Sequence, residues 1–217
     1  MNLGEVLDIF NLVIADKAPD SEDMTPERFT TLLKYANKKH FTAAVDKKKW
    51  NSLRPFTVVL GADGTMSLKI EKDGTAALPD DYVEHKSSRH QYLKNGQVKH
   101  SVVRKIDDQK WDHVHQSAIE KPTRRHPYLN VKDDYIRVAP ADLRYIIFTY
   151  IRKPVDPVFV ADYETYGFPV YDEDNSTELE WDDENVLDII FIMLREFGVI
   201  ATIEDVQAAA ASKAQKK

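Results

Sequence analysis

Two carboxylates and two histidines stand close together in LPDDYVEHKSSRHQYL, residues 78–93: Asp80, Asp81, His85 and His90. Such a set is the raw material of an acid–base pair or a metal site. The spacing argues against both. Adjacent residues on a strand point to opposite faces, so Asp80 and Asp81 cannot share a proton there. A turn that opens a strand after Leu78-Pro79 is the better reading. His113 and His115 lie two apart, and on a helix that spacing sends ligands to different sides. No HExxH pattern is present, so His85, His90, His100, His113 and His115 are expected in surface or packing roles. Asp172, Asp174, Ser176 and Glu178 alternate as calcium ligands do. An EF-hand loop, however, needs Gly where Thr177 stands and a bidentate Glu where Asp183 stands. With 7 glycines there is neither GxGxxG nor GxxxxGK; there is no GxSxG and no cysteine. No catalytic residue, cofactor or metal ligand is therefore assigned, and the chain is not expected to be an enzyme. Two basic clusters remain, Lys47, Lys48 and Lys49, and Arg124 and Arg125 followed by His126. They are the candidates for facing DNA.

The elements that must position these residues change character along the chain. Leu3, Val6, Leu7, Phe10, Val13 and Ile14 share one helical face, with Ile9 and Leu12 as a flanking stripe. That is more apolar surface than one packing partner needs. A second helix opens at Thr25 as N-cap, with Pro26 at its first position and Glu27 at the positive end of the dipole. Phe29, Leu32, Leu33, Ala36 and Ala43 form its expected buried face, and Asn37 is read as solvated. From residue 53 the pattern is strand-like, with ADG, KDG and KNG as turn signals. DDQKWDHVHQSAI predicts a short helix starting at Asp107 or Asp108. HPYLNVKDDYIRVAP and ADLRYIIFTYIRKP predict strands broken at 132–134 and 140–142. Residues 156–181 read as a long Pro-, Tyr- and acid-rich loop, of a kind that is functional or ordered by a partner. Two helices follow, one running to Gly198 and nearly all apolar from Ile189 to Leu194, one starting near Thr202.

The expected class is α+β. Terminal helices, residues 1–52 and 178–217, form a helical bundle, and residues 53–177 form a β-rich insertion that includes the long loop. The chain has 217 residues, 42% hydrophobic and 30% charged, enough for a substantial core. Its longest apolar run, Ile189 to Leu194, is far shorter than the roughly 20 residues a membrane span needs. MNLGEVLDIFNLVIADK carries Glu5 and Asp8 and no basic leader region, so a signal peptide is not expected. Net charge is −6. Proteins that grip nucleic acid generally show a basic excess, because phosphate neutralisation supplies much of the affinity.

The order of motifs resembles a known family. LRPF, LPDDYVEH, YIRVAPADLRYIIFTYIRKP and ELEWDDENVLDIIFIMLREFGV follow one another across about residues 1–210. In this order they resemble the head-to-tail connector ring proteins of crAss-like gut bacteriophages and, more loosely, the adaptor proteins of other short-tailed phages. The resemblance implies a virion structural protein, a subunit of a roughly twelve-fold ring around the DNA exit channel in the neck or tail, assembled in the host cytoplasm. Its partners would be copies of itself, the portal and other neck and tail ring proteins, with DNA passing unread and no membrane involved. The family carries no catalytic residues to transfer.

The expected contacts are drawn from surplus apolar and aromatic residues: Phe10, Tyr163, Tyr166, Phe168, Tyr171, Trp181, Ile190, Phe191 and Val206. Deleting residues 203–217 is expected to leave a folded subunit and impair docking. The alternative is a soluble DNA-binding or DNA-processing accessory protein that uses Lys47 to Lys49, Arg124 and Arg125.

Overall fold

The computed structural model describes residues 1–19, 24–61, 68–163 and 169–215; of Leu93, Lys94, Tyr163 and Pro169 it describes the backbone alone. The fold is α+β, with helices at both ends of the chain and strands in the middle. It divides into two compact units, residues 1–55 with 154–217, and residues 56–153. Residues 154–177, expected with the insertion, fall in the terminal unit.

The terminal unit is built on four helices, α1 (Leu3–Lys17), α2 (Pro26–Asp46), α4 (Asp183–Glu196) and α5 (Ile203–Ala214), with a short antiparallel hairpin, β10 (Ala161–Tyr163) and β11 (Pro169–Tyr171). Local chemistry sets the helix ends. Asn2 accepts from the Glu5 N–H at 2.9 Å while Glu5 accepts from the Asn2 N–H, a reciprocal cap, and Thr202 and Asp205 repeat it on α5. Asp182 caps α4, and Gly198, at φ +89°, ends its turn. Pairs α1–α4, α1–α5, α2–α4 and α4–α5 pack together. Phe10 meets Phe29 and Phe197 edge-on at centroid distances of 6.3 and 5.8 Å.

Three expectations change here. The buried face of α1 is Leu3, Val6, Ile9, Phe10 and Val13; Leu7 and Ile14 are half-buried and Leu12 is exposed. A helix with two apolar stripes buries the direction between them, where Ile9 lies. On α2 the buried residues are Phe29, Leu33, Ala36, Asn37, His40, Phe41 and Ala44, so Asn37 is interior and Ala43 is not. The segment read as a long loop carries the β10–β11 hairpin and a bridge between Val158 and Thr177. Its Tyr171 ring lies on α1 at Gly4, where an added Cβ would come within 2.9 Å of Tyr171 Cδ1.

The middle unit contains a mixed-length sheet with strand order β1 (Thr57–Leu60), β9 (Tyr145–Arg152), β4 (Tyr82–Lys94) and β5 (Gln97–Val102), with β2 (Leu68–Lys69) pairing the start of β9. A second sheet runs β3 (Thr75–Ala77), β8 (Tyr135–Ala139), β7 (Tyr128–Val131) and β6 (Arg104–Lys105). Ile70, Val103, Leu129, Ile136, Leu143, Ile146 and Phe148 belong to one core cluster that the two sheets share. β9 is apolar on alternate positions facing this core, and Ile151 on its other face is also buried. The short helix α3 (Asp108–Gln116) begins where expected, with Asp107 as N-cap. Asn95 and Gly96 at φ +55° and +74° make the KNG turn between β4 and β5, with both central residues in the left-handed region that a two-residue hairpin requires.

Candidate functional site

The carboxylates and histidines of residues 78–93 do not converge. Tyr82 N–H donates to the Pro79 carbonyl at 3.0 Å, closing the turn that opens β4. Asp81 accepts the Tyr150 hydroxyl at 2.8 Å, and Asp80 is exposed. Burial, and then that carboxylate, push the Tyr150 hydroxyl up to about 12. His85 Nε2 pairs with Ser88 Oγ at 2.8 Å and faces the Phe148 ring at 5.3 Å. Burial, with Lys105 as a lesser cause, pushes its pKa down to about 4, so the ring is neutral at pH 7. His90 donates from Nδ1 to the Tyr145 carbonyl at 3.3 Å, and His115 donates to the Trp111 carbonyl at 2.8 Å. These are bracing contacts, and among the described residues no group of three or more His, Cys, Asp or Glu is placed to hold a metal ion.

The acidic stretch is likewise occupied. Asp172 accepts from the Asn175 N–H at 3.2 Å and from its side-chain amide at 2.6 Å. Glu178 accepts from the Leu3 N–H at 2.8 Å and from the Tyr171 hydroxyl, whose pKa is raised by burial and by that carboxylate. Glu178 ties the hairpin segment to α1, and Asp172 closes its own turn onto Asn175.

Of the residues expected at interfaces, Phe10, Trp181, Ile190 and Val206 are buried by their own unit and cannot offer side chains to a neighbour. The surplus read from α1 and α4 is largely absorbed because α1, α2, α4 and α5 cover one another. Trp181 instead anchors a buried polar cluster. Its Nε1–H donates to Asn37 Oδ1 at 2.7 Å, its ring stands edge-on to His40 at 4.7 Å, and His40 Nε2 meets Asn185 Oδ1 at 3.0 Å. Phe191 and Tyr171 are half-buried. Tyr163 lies on β10 without a described side chain, and Tyr166 and Phe168 lie outside the described residues. Lys47, Lys48 and Lys49 are exposed at the C-terminus of α2, while Arg124 is held to Asp142 at 2.8 Å through both Nε and Nη2, and Arg125 is exposed.

Two surfaces remain, one on each unit. β4 leaves β9 after the Arg89↔Ile147 pair and continues with β5 as its sole described partner, Gln91↔His100 to Lys94↔Gln97. This two-stranded arm exposes Val98 (60%), and Val102 (67%) is exposed on β5 just before it, opposite Arg89. On the helical unit a groove of about 680 Å³ runs between α2 and the end of α4, lined by apolar Met24, Leu32, half-exposed Tyr35 and Phe197 and by the charged Glu27, Arg28 and Glu196, with Lys39 bridged to Glu196 at 2.6 Å. No family model and no curated protein matches the chain.

The two units also differ in charge, which the total conceals. Residues 56–153 hold 17 Lys and Arg against 13 Asp and Glu, a formal +4; the remainder holds 13 against 23, a formal −10. Residues 85–106 contain Lys86, Arg89, Lys94, Lys99, Arg104 and Lys105 and no carboxylate. A charge count by segment would have exposed this stretch in the sequence; a count of clustered cations finds Lys47–Lys49 and passes over residues spread along a hairpin.

Proposed function

We propose that this chain is a non-enzymatic structural subunit of an oligomeric head–tail connector ring in the virion of a short-tailed, crAss-like phage. The order of motifs across residues 1–210 supports the family. The observation that carries the mechanism is the division of charge, +4 on the β-rich unit and −10 on the helical unit. A subunit with two unlike, complementary patches associates head to tail, and such a contact closes into a ring when the rotation per copy allows. Portal, neck and tail proteins would then stack on the faces of that ring, and DNA would pass through it without being read.

Purified particles test this. Antibody against residues 203–217, imaged by electron microscopy, is expected to label the neck, and quantitative mass spectrometry is expected to count about twelve copies per particle, as a ring of this kind implies. A chain that is abundant in infected cells and missing from particles rejects the reading. The acid-free run 85–106 favours one second reading, a DNA-binding accessory protein. That reading requires oligonucleotide binding that weakens steeply with salt.

A further inference from the structure

β5 is an edge strand: the order β1-β9-β4-β5 ends on it, and β4 is its described partner. The two-residue turn at Asn95-Gly96 fixes which way its backbone groups point. Lys94 and Gln97 flank that turn as a pair, so Gln97, Lys99 and Ser101 turn their N–H and C=O groups towards β4. Val103 keeps the same phase and donates to the Ser88 carbonyl at 2.9 Å. Arg104 has the opposite phase and donates outward, to the Pro127 carbonyl at 3.0 Å. Val98, His100 and Val102 therefore direct their N–H and C=O groups away from β4, and among the described residues nothing bonds to them. From Gln91 to His100 the arm is two strands wide, a form that is marginally stable in water. An open edge of this kind is a template for another strand.

The sequence of this edge matches itself. Val98, His100 and Val102 share one face of the sheet and are all exposed, with the valines placed symmetrically about His100. Consider β5 laid antiparallel on β5 of a second copy, His100 opposite His100. Val98 then faces Val102 and Val102 faces Val98, so each exposed valine gains an apolar neighbour. All three outward residues of each strand fall in hydrogen-bonded pairs, and each pair exchanges two bonds. Lys99 falls opposite Ser101. The neighbouring registers do worse. With Val98 opposite His100, Lys99 stands opposite Lys99, which is destabilising, and Val102 faces the turn at Gly96. With His100 opposite Val102, Val98 faces Arg104, whose N–H is already bonded to Pro127. The geometry points to a two-fold dimer of this chain through the β5 edge, centred on His100. Such a contact closes at two copies. It is therefore separate from the head-to-tail contact of the ring and belongs to the free subunit, where it covers an edge that would otherwise recruit other strands.

The chain has no cysteine, so introduced thiols report the register directly. Facing residues of a hydrogen-bonded antiparallel pair have Cα atoms about 5.5 Å apart, within disulfide range. Val98 of one copy and Val98 of the other lie four residues apart along the strands, about 14 Å. Under mild oxidation His100→Cys should link to itself at least roughly tenfold faster than Val98→Cys or Val102→Cys does alone, because pairing raises the local concentration of facing thiols. A mixture of Val98→Cys and Val102→Cys should link faster than either alone. Sedimentation equilibrium of the unaltered chain over a concentration series should show a reversible dimer. His100→Lys sets two ammonium groups face to face and should weaken that dimer at least roughly tenfold at low salt, and less at high salt. All three positions are exposed, and circular dichroism checks that each variant folds. A monomer at every concentration overturns the proposal. So does self-linking of Val98→Cys as fast as that of His100→Cys, which means random encounter or another register. Neither result touches the ring reading, which falls instead if the chain is missing from purified particles.

Discussion

Sequence places Trp181 among the interface aromatics and Asn37 on the solvated side of α2, yet the two are partners in the interior. The indole N–H has its acceptor in Asn37, itself 3% exposed. Asn37→Ala removes the acceptor that the buried indole N–H uses and should cost about 1–3 kcal/mol in urea unfolding. Pairing Asn37→Leu with Trp181→Phe removes donor and acceptor together and should recover part of that loss. If Asn37→Ala is neutral, the bond does not stabilise the native state. His85 makes a second prediction. Its folded pKa, about 4, lies below the ordinary value of 6.5, so between those values the unfolded chain takes up a proton that the native ring refuses. Stability should therefore fall as pH drops from 6.5 towards 4, and this part of the slope should vanish in His85→Gln. Equal slopes in the two proteins would show that His85 is not the group responsible. Neither role was legible in sequence. Hydrophobic spacing reports which direction a helix faces and is silent on polar side chains paired across 144 residues of chain.

The elements themselves were largely legible, because their signals are local. Thr25-Pro26 starts α2, Gly198 stops α4, Asn95-Gly96 turns β4 into β5, and Asp107 caps α3. What sequence could not decide was which apolar stripe each helix would spend inside its own unit, since that depends on partners far away in the chain. α5 shows the consequence. Its position at the end suggested a removable docking element, but Val206 is fully buried, α5 packs on α1 and α4, and Lys17 reaches Asp205 at 3.0 Å. The Thr202 backbone N–H first, and then Lys17, hold the Asp205 carboxyl down at about 2. Deleting residues 203–217 should therefore destabilise the helical unit, by about 1.5–3 kcal/mol for the buried valine alone, before any effect on docking appears. Thermal unfolding of the truncated chain checks this. An unchanged midpoint would restore α5 as a detachable element.

At the scale of the whole molecule the insertion has a simple topological basis. The middle unit begins at Phe56 and ends at Lys153, and the strands at its two ends are neighbours, with Thr57 paired to Ile151. Chain therefore enters and leaves on adjacent strands, the arrangement that lets one folded body be set into a loop of another. The unit also owns a core, from Ile70 through Leu129 and Ile136 to Phe148 and Tyr150, that needs no residue of the helical segments. Residues 56–153 made alone should fold cooperatively, and residues 1–55 joined to 154–217 by a short Gly/Ser linker should do the same. The two pieces should separate on ion exchange at pH 7, the β-rich piece held by a cation exchanger and the helical piece by an anion exchanger, following their formal charges of +4 and −10. If the β-rich piece gives only a broad, non-cooperative transition, its core depends on the helical segments. The charge division would then describe two faces of one body, and head-to-tail association would have to be argued from surface patches alone.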